Sequence, residues 1–480
     1  MKLQKLILDN FRGYKTLELN LERDVTVIIG DNGSGKTTLL DAIAQSLGWF
    51  IARIKTESGK GSPISELDIH NGTHHAQISL QISALENTYE WSLAQTRQGR
   101  KKTTNSQLSS MAKLAETYRE QLTEDNNSSL PLLVYYPVDR VVTDISVKLS
   151  NRQSFGQLDA YTNAVNGNTD FNEFFKWFRN QEDIENEKLK KISIELEKIR
   201  PEMILETEEY FSRRVVIEKI KINKSGLFDE NGFLVGNKIL NQQELINYAN
   251  QSRTLLALEK NKKLEVVRSA ITKFLPNFSH IQIQRSPRLS LLIDKQINNE
   301  IISLDANQLS RGEKCLLAMV GDLARRLAIL NPTLEDPLQG EGIVLIDEID
   351  LHLHPRWQRS IISNLRKTFP NIQFIISTHS ALVISDAPNI NGYLLKDGKL
   401  LSLDNLYGMD VNQVLLQEMD TDIRNINIQN ELDNLRDLLQ DNNIDAAKIK
   451  ISQLEQQVST DNLELNKARL LLRRLELRRA

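Results

Sequence analysis

Residues Val25-Thr26-Val27-Ile28-Ile29-Gly30-Asp31-Asn32-Gly33-Ser34-Gly35-Lys36-Thr37-Thr38-Leu39-Leu40 carry the decision about the fold. A buried apolar run ends in a glycine-spaced loop, and an apolar-periodic stretch to about Ile54 follows. That order predicts strand, loop and helix, the repeating unit of a parallel α/β sheet. The loop fits G-x-x-x-x-G-K-[ST] in the setting where the pattern has a mechanism. Its glycines let backbone N–H groups turn inward on phosphate, and the helix dipole adds positive potential at the same place. The expected nucleotide contacts are Asp31, Asn32, Gly33, Ser34, Gly35, Lys36, Thr37 and Thr38. Lys36 is placed for the β- and γ-phosphates, and Thr37 for Mg2+ through its hydroxyl. A chance glycine turn is the competing reading, and the strand–loop–helix setting argues against it.

Two further buried runs end in polar residues. Ile343-Val344-Leu345-Ile346-Asp347-Glu348 is a strand pattern closing on two acids. A buried parallel strand delivers its last residues to the carboxyl edge of the sheet, where ligands bind. Asp347 is placed to hold the Mg2+ shell, and Glu348 to orient and deprotonate an attacking water. Ile375-Ile376-Ser377-Thr378-His379-Ser380 repeats the pattern, with His379 placed to contact a γ-phosphate. Leu309-Ser310-Arg311-Gly312-Glu313-Lys314 precedes a helix. Ser310 and Glu313 fit an ordinary capping box. The same turn also presents a hydroxyl and N–H donors that suit a second phosphate group, here one held by another chain.

The bulk numbers narrow the class. The chain has 480 residues, 40% hydrophobic and 26% charged, with a net charge of −3. No global basic field draws it to nucleic acid, which leaves room only for a local basic face. One cysteine, Cys315, excludes an internal disulfide framework and fits a cytoplasmic location. The charged, alternating N-terminus does not read as a signal peptide, and no apolar run is long enough to span a bilayer.

The expected organisation has four parts. Residues 1–150 form a first lobe, with LQKLILDNF, KTLELNLE, AQISLQISAL and TYEWSLAQTR as strands and LPLLVYYPVDR as a buried strand. The polar stretch from about Gly99 to Ser129 predicts a mobile insertion. Residues 151–273 form a helical arm, with an aromatic stripe of Phe171, Phe174, Phe175 and Phe178, a β-like piece over 213–228 and a helix from about Gln242 to Phe274. Residues 274–405 return to the α/β pattern with IQIQ and LSLLID and end in an edge hairpin, GYLLKDGKLLSL. Residues 406–480 form three short amphipathic helices that need a partner surface, in the body of the protein or on another chain. LLLRRLELRR at the end fits a packed helix with a solvated face, or a contact with DNA, RNA or an acidic partner. His352 and His354 read as turn residues after the acid pair rather than metal ligands.

In the order NFRG, GDNGSGKT, LSRGEK, LIDEID with LHLHP, and ISTHS, the chain resembles the ABC-type ATPase heads of the SMC/RecF/OLD-like group. About 310 residues separate Lys36 from Asp347, which resembles the split SMC head with an inserted arm. The implied fold is a split α/β head with a P-loop sheet and a flanking antiparallel sheet. The resemblance implies ATP and Mg2+ as cofactors, with Ser310, Arg311, Gly312 and Glu313 as a signature acting across a homodimer, or within a larger homo-oligomer. It also implies Asp350 in a D-loop and Arg12 near the nucleotide. The glutamine of the Q-loop is not evident. Pro137-Val138-Asp139-Arg140 stands in its place, where Asp139 or a neighbour is the candidate for that job, with Asp139 the candidate for the metal.

The segment over 161–186 and the C-terminal GMDVNQVLLQEMDTD resemble the ATPases of anti-phage systems, especially the PtuA subunit of Septu and its retron-associated relatives. That implies a partner HNH nuclease, PtuB-like, and in a retron setting a reverse transcriptase and msDNA. A RecF/SMC-like repair ATPase that binds DNA directly is the alternative, and a self-sufficient nuclease a third reading. No membrane partner is expected.

Overall fold

The computed structural model describes residues 1–140, 145, 147, 156–166, 171–199, 261–403, 407–414, 425–459 and 462–479. It divides into two compact units, Met1–Asp404 and Asn405–Ala480.

The larger unit holds three sheets. The first is antiparallel, in the order β2 (Tyr14–Asn20), β1 (Lys2–Phe11), β4 (His75–Ala84), β5 (Asn87–Thr96). β4 alternates strictly between half-buried and buried positions, the mark of a sheet with one face on the core. The second sheet runs in the order β13 (Lys399–Leu403), β12 (Asn391–Lys396), β3 (Val25–Ile29), β11 (Ile372–Thr378), β10 (Gly342–Ile346), β6 (Leu132–Tyr136). β12, β3, β11, β10 and β6 are mutually parallel, and β13 closes one edge as an antiparallel hairpin. Every residue of β3, β6, β10 and β11 is buried, as expected of strands covered on both faces.

The helix Lys36–Lys55 packs against β4 of the first sheet and against β6, β10 and β11 of the second. Two buried polar links stitch these layers. Trp91 donates its indole N–H to Ser46 on that helix (2.8 Å). Gln373 on β11 both accepts from and donates to the backbone of Leu3 on β1 (2.7 and 2.8 Å). A buried amide satisfied on both sides avoids the penalty of an orphan.

Two expectations fail here for identifiable reasons. The stretch over 99–129 is not simply an insertion. It contains the helix Ser109–Glu124, which buries Met111, Leu114, Ala115 and Tyr118, and Tyr118 meets Phe50 edge-on (6.2 Å). The polar flanks hid an i, i+3, i+4, i+7 stripe. IQIQ and LSLLID do not join the main sheet either. β7 (Phe278–Gln284) and β8 (Ser290–Ile297) pair with the unforeseen β9 (Glu300–Asp305) in a separate antiparallel sheet.

The helix Asn172–Ile199 buries its aromatic stripe, with Phe174 seated over Gly321, where a Cβ would lie 2.3 Å from the ring. The helix Lys262–Phe274 packs on the helix Arg311–Leu330. The β-like piece over 213–228 and the helix start near Gln242 lie outside the described residues. Among the described residues no helix is long and apolar enough to cross a membrane.

In the smaller unit the helices Ile426–Gln440, Ile444–Glu455 and Leu463–Arg479 turn their apolar stripes on one another. Leu432, Leu435, Leu439, Ala447, Ile451, Leu454 and Leu465 form that core. The stripes therefore satisfy each other, where the sequence alone asked for an outside surface.

The helix Arg311–Leu330 is anchored by a buried ionic network. Asp322 accepts from Arg325 (3.1 and 2.7 Å), Arg326 (2.7 Å) and the hydroxyl of Tyr136 (2.9 Å). All three charged groups are under 5% exposed. Burial alone would raise the Asp322 carboxyl, but Arg326 and Arg325 outweigh it and hold it at about 2, below the ordinary 3.8. A carboxylate depressed in this way stabilises the fold above its ordinary pKa, and the contribution fades as pH falls toward about 2. Asp322→Asn leaves two buried guanidinium groups without a counter-charge. It is expected to destabilise the protein by about 3–5 kcal/mol in denaturant unfolding at neutral pH, with a smaller difference from the parent as the pH approaches 2.

Candidate functional site

Parallel register gathers the site. Ile29 of β3 lies opposite Thr378 of β11, Ile376 of β11 opposite Ile346 of β10, and Ile346 opposite Tyr136 of β6. Each strand therefore ends at the same sheet edge. The residues that follow, Gly30, His379, Asp347 and Pro137, emerge there together.

The loop after β3 is built on backbone that side chains would not tolerate. Gly33 has φ +80° and Gly35 has φ +108°, in the left-handed region that favours glycine. At Gly35 a Cβ would also lie 2.1 Å from the hydroxyl of Tyr14, which donates to the Ser34 carbonyl (3.3 Å). Gly35 is the N-cap of the helix and brings no side chain to cap it. The first-turn N–H groups thus have no acceptor on the helix itself, and the Ser34 hydroxyl is a buried oxygen with no partner among the described residues. A cradle of unspent donors suits a polyphosphate. Lys36 donates to the carbonyls of Gly30 and Asp31 (2.8 and 2.9 Å). Burial lowers the Lys36 pKa, opposed by the charges of Asp347, Glu348, Asp31 and Asp350. Asp31, Asn32 and Gly33 are exposed, and Thr38 is half-buried on the first helical turn.

Thr37 donates its hydroxyl to Asp347 (2.7 Å). Asp347 is 1% exposed and accepts at its other oxygen from the Ser377 hydroxyl. A hydroxyl beside a buried carboxylate is a hard oxygen pair that fits Mg2+, which keeps several waters and substrate phosphates in its shell. Among the described residues there is no cluster of three or more His, Cys, Asp or Glu side chains that would cage a metal without substrate.

Glu348 donates its N–H to Ser377 (2.8 Å), and its backbone is left-handed at φ +46°. Its carboxylate and the His379 imidazole stand 3.6 Å apart, each 28% exposed. Asp350 accepts from the hydroxyl of Thr378 and from the N–H of His379 (3.3 Å).

Ser310 and Glu313 form the capping box: Ser310 donates its N–H and hydroxyl to Glu313 (2.9 and 2.8 Å) and accepts from the Glu313 N–H (3.3 Å). Lys295 holds the other Glu313 oxygen (2.6 Å). Burial would raise the Glu313 carboxyl, but Lys295 and Ser310 keep it below its usual range. Ser310 and Arg311 are exposed, while Gly312 is buried under His352, where a Cβ would lie 2.4 Å from the carbonyl oxygen. None of the hydrogen bonds of Ser310 among the described residues reaches the loop over 30–37. His352 is itself left-handed (φ +63°), and His354 caps the helix Pro355–Thr368 through Nδ1 (3.3 Å).

Arg12 is tied to Asp41 (2.6 Å) and Asp68 (2.8 Å), and Tyr135 donates to the second oxygen of Asp41 (3.0 Å). The guanidinium expected beside the nucleotide is thus engaged with two carboxylates. Asp139 is exposed in the turn after β6, and the residue of that turn that reaches the acid pair is Arg140. Sequence reading gave no role to Ser377 or Tyr14, and in the turn after β6 it favoured Asp139 over its neighbour Arg140. Ser377 carried a signal, being on a strand ending at the site, and Arg140 carried one in standing at the Q-loop position. Tyr14 carried none, because its approach depends on packing.

A family model described as an AAA domain matches residues 5–204. The Retron Ec83 probable ATPase of Escherichia coli is 34% identical over 409 residues, which cover 83% of this chain and 72% of that protein. The Retron Vc95 probable ATPase of Vibrio cholerae serotype O1 biovar El Tor is 36% identical over 397 residues, 80% of this chain and 71% of that protein. The Septu protein PtuA of Bacillus mycoides is 40% identical over 99 residues, 19% of this chain and 13% of that protein. Among solved structures, an Smc head bound to the C-winged helix domain of ScpA covers 84% of this chain, and the match takes in 98% of that one, with a TM-score of 0.41 and 16% identity. Long matches on both sides, over a chain that carries the P-loop and its acid pair at one sheet edge, decide the matter: this protein is an ATPase and belongs to the family of the retron ATPases.

Proposed function

We propose that two copies of this chain close around ATP, hydrolyse it at a shared seam, and thereby regulate a partner HNH nuclease in an anti-phage defence complex. The hydrogen bond between Thr37 and Asp347 carries the chemical part of the reading, because it joins the P-loop helix to the acid pair at one point. ATP lies along the loop over 30–37, with the N–H groups and Lys36 turned onto its phosphates. Thr37 and Asp347 would hold Mg2+, which would offset the negative charge of the phosphates. Glu348 takes a proton from water as the water oxygen attacks the γ-phosphorus, and ADP leaves with its bridging oxygen. His379 reaches the γ-phosphate from the neighbouring strand. Lys36 releases its two carbonyl partners to do so.

The seam is supported by what Ser310 and Arg311 do not do. They are exposed, and their own chain's loop already has its donors. Ser310 and Gly312 then complete the γ-phosphate site of the second copy, and Asp350 takes the D-loop position at the seam that the resemblance implies. Sandwiched ATP stabilises only the closed pair, so occupancy sets the closed population. The nuclease partner rests on the resemblance of the segments over 161–186 and 408–422 to PtuA-type ATPases. A reverse transcriptase and msDNA would join it in a retron setting.

Glu348→Gln is expected to bind ATP, accumulate dimers in light scattering and lose at least about a hundredfold in turnover; a wild-type rate removes Glu348 as the base. Ser310→Arg is expected to abolish hydrolysis while a fluorescent ATP analogue still binds, and loss of both together removes the trans role. An HNH protein encoded beside this chain is expected to copurify with it at a fixed ratio. Activation of turnover by duplex DNA, with no such partner retained, favours the repair-type reading.

A further inference from the structure

Arg140 has no task in the mechanism above, yet its placement is specific. It sits in the turn after β6 and is 7% exposed. Its guanidinium donates to the carbonyl of Asp347 and to that of Glu348 (2.6 Å), and also to the carbonyl of Pro137 (3.1 Å). Among the described residues it has no carboxylate partner. A guanidinium taken out of water to meet only carbonyls carries a desolvation cost with no ion pair to offset it.

Glu348 is where that cost has an effect. Its N–H is held by Ser377 (2.8 Å), and its carbonyl is held by Arg140 and by the N–H of Leu351 (3.0 Å). With both backbone ends bonded, its left-handed φ of +46° is enforced, although glutamate has no preference for that region. The direction of the side chain follows from the backbone angles. Arg140 also reaches the signature helix, because its own carbonyl accepts from the Cys315 thiol (3.8 Å). The turn it clasps continues to His352, whose carbonyl covers Gly312.

We infer that Arg140 is a positioning residue for ATP hydrolysis: by holding the carbonyls of Asp347 and Glu348 it keeps Glu348 left-handed and aims its carboxylate at the attacking water. This rests on the assignment of Glu348 as the base. The bland alternative is that Arg140 only adds stability to the turn.

The test compares Arg140→Gln and Arg140→Lys in the full chain. Arg140→Gln removes the charge and most of the reach. Its kcat is expected to fall by about tenfold or more, as a misaimed base does, with KM for ATP within about threefold. In the nucleotide-free protein, backbone amides over 347–353 are expected to exchange with deuterium faster. Arg140→Lys keeps the charge but not the fork geometry, and should fall between parent and Arg140→Gln in both readouts. A kcat within about twofold of the parent, a loss carried by KM, or unchanged exchange over 347–353 overturns the inference. Loss of fold in both variants overturns it as well, since stability then accounts for the residue. If Glu348→Gln turns over at the parent rate, the assignment of the base has failed, whatever Arg140 does.

Discussion

Thr37 and Asp347 are 310 positions apart and share a 2.7 Å hydrogen bond. Everything chemical in the molecule depends on the parallel register that makes that contact. β3 and β10 are not neighbours: β11 runs between them, in register with both. Three buried strands must hold this register for the P-loop helix to meet the acid pair. A one-residue slip would turn every side chain of a strand to the opposite face, and with all of them buried on both sides there is no solvent face to absorb the error. The hydroxyl–carboxylate pair is therefore the visible end of a long chain of backbone pairing.

Around that pair the backbone is held in conformations it would not choose. Gly33 and Gly35 are left-handed in the loop, and Glu348 and His352 are left-handed after β10. A glycine adopts such angles without a Cβ penalty, but a glutamate or histidine does so at a cost of about 1–3 kcal/mol. Both strained residues are fastened from outside. Ser377 and Arg140 hold the first, and the second lies over Gly312. Strain of this kind links three motifs that are remote in sequence: the acid pair, the turn after it and the signature helix. A shift in one has a direct mechanical route to the others.

The signature helix is rooted in the head by a different device. Asp322, Arg325 and Arg326 meet Tyr136 in the interior. Tyr136 is also the residue whose carbonyl receives the N–H of Asp347 (2.9 Å). One tyrosine thus touches both the helix that carries Ser310 and the backbone of Asp347 at the end of β10. Replacing such a network with apolar residues often stabilises a protein, so its presence here is better explained by the orientation it imposes than by the energy it adds.

How much was legible in the sequence follows a clear physical division. Strand–loop–helix around Lys36, the acid pair after β10, the next strand leading to His379 and the edge hairpin were all readable, because local periodicity and turn chemistry are properties of neighbouring residues. The helix over 109–124 escaped because its stripe of four apolar residues lay inside polar flanks. That β7, β8 and the unforeseen β9 form a sheet of their own was not legible, since an alternating strand carries no label for its partner. The three C-terminal stripes were correctly apolar, but that they cover one another is a fact of packing. The amino-acid order by itself determined the class of chemistry, because a phosphate-binding loop needs its glycines, lysine and threonine in consecutive positions. Only the tertiary structure decided which residues gather around that loop. Arg140, Ser377 and Tyr14 reach the site through contacts across 20 to 208 positions, and no local pattern encodes a distance in space.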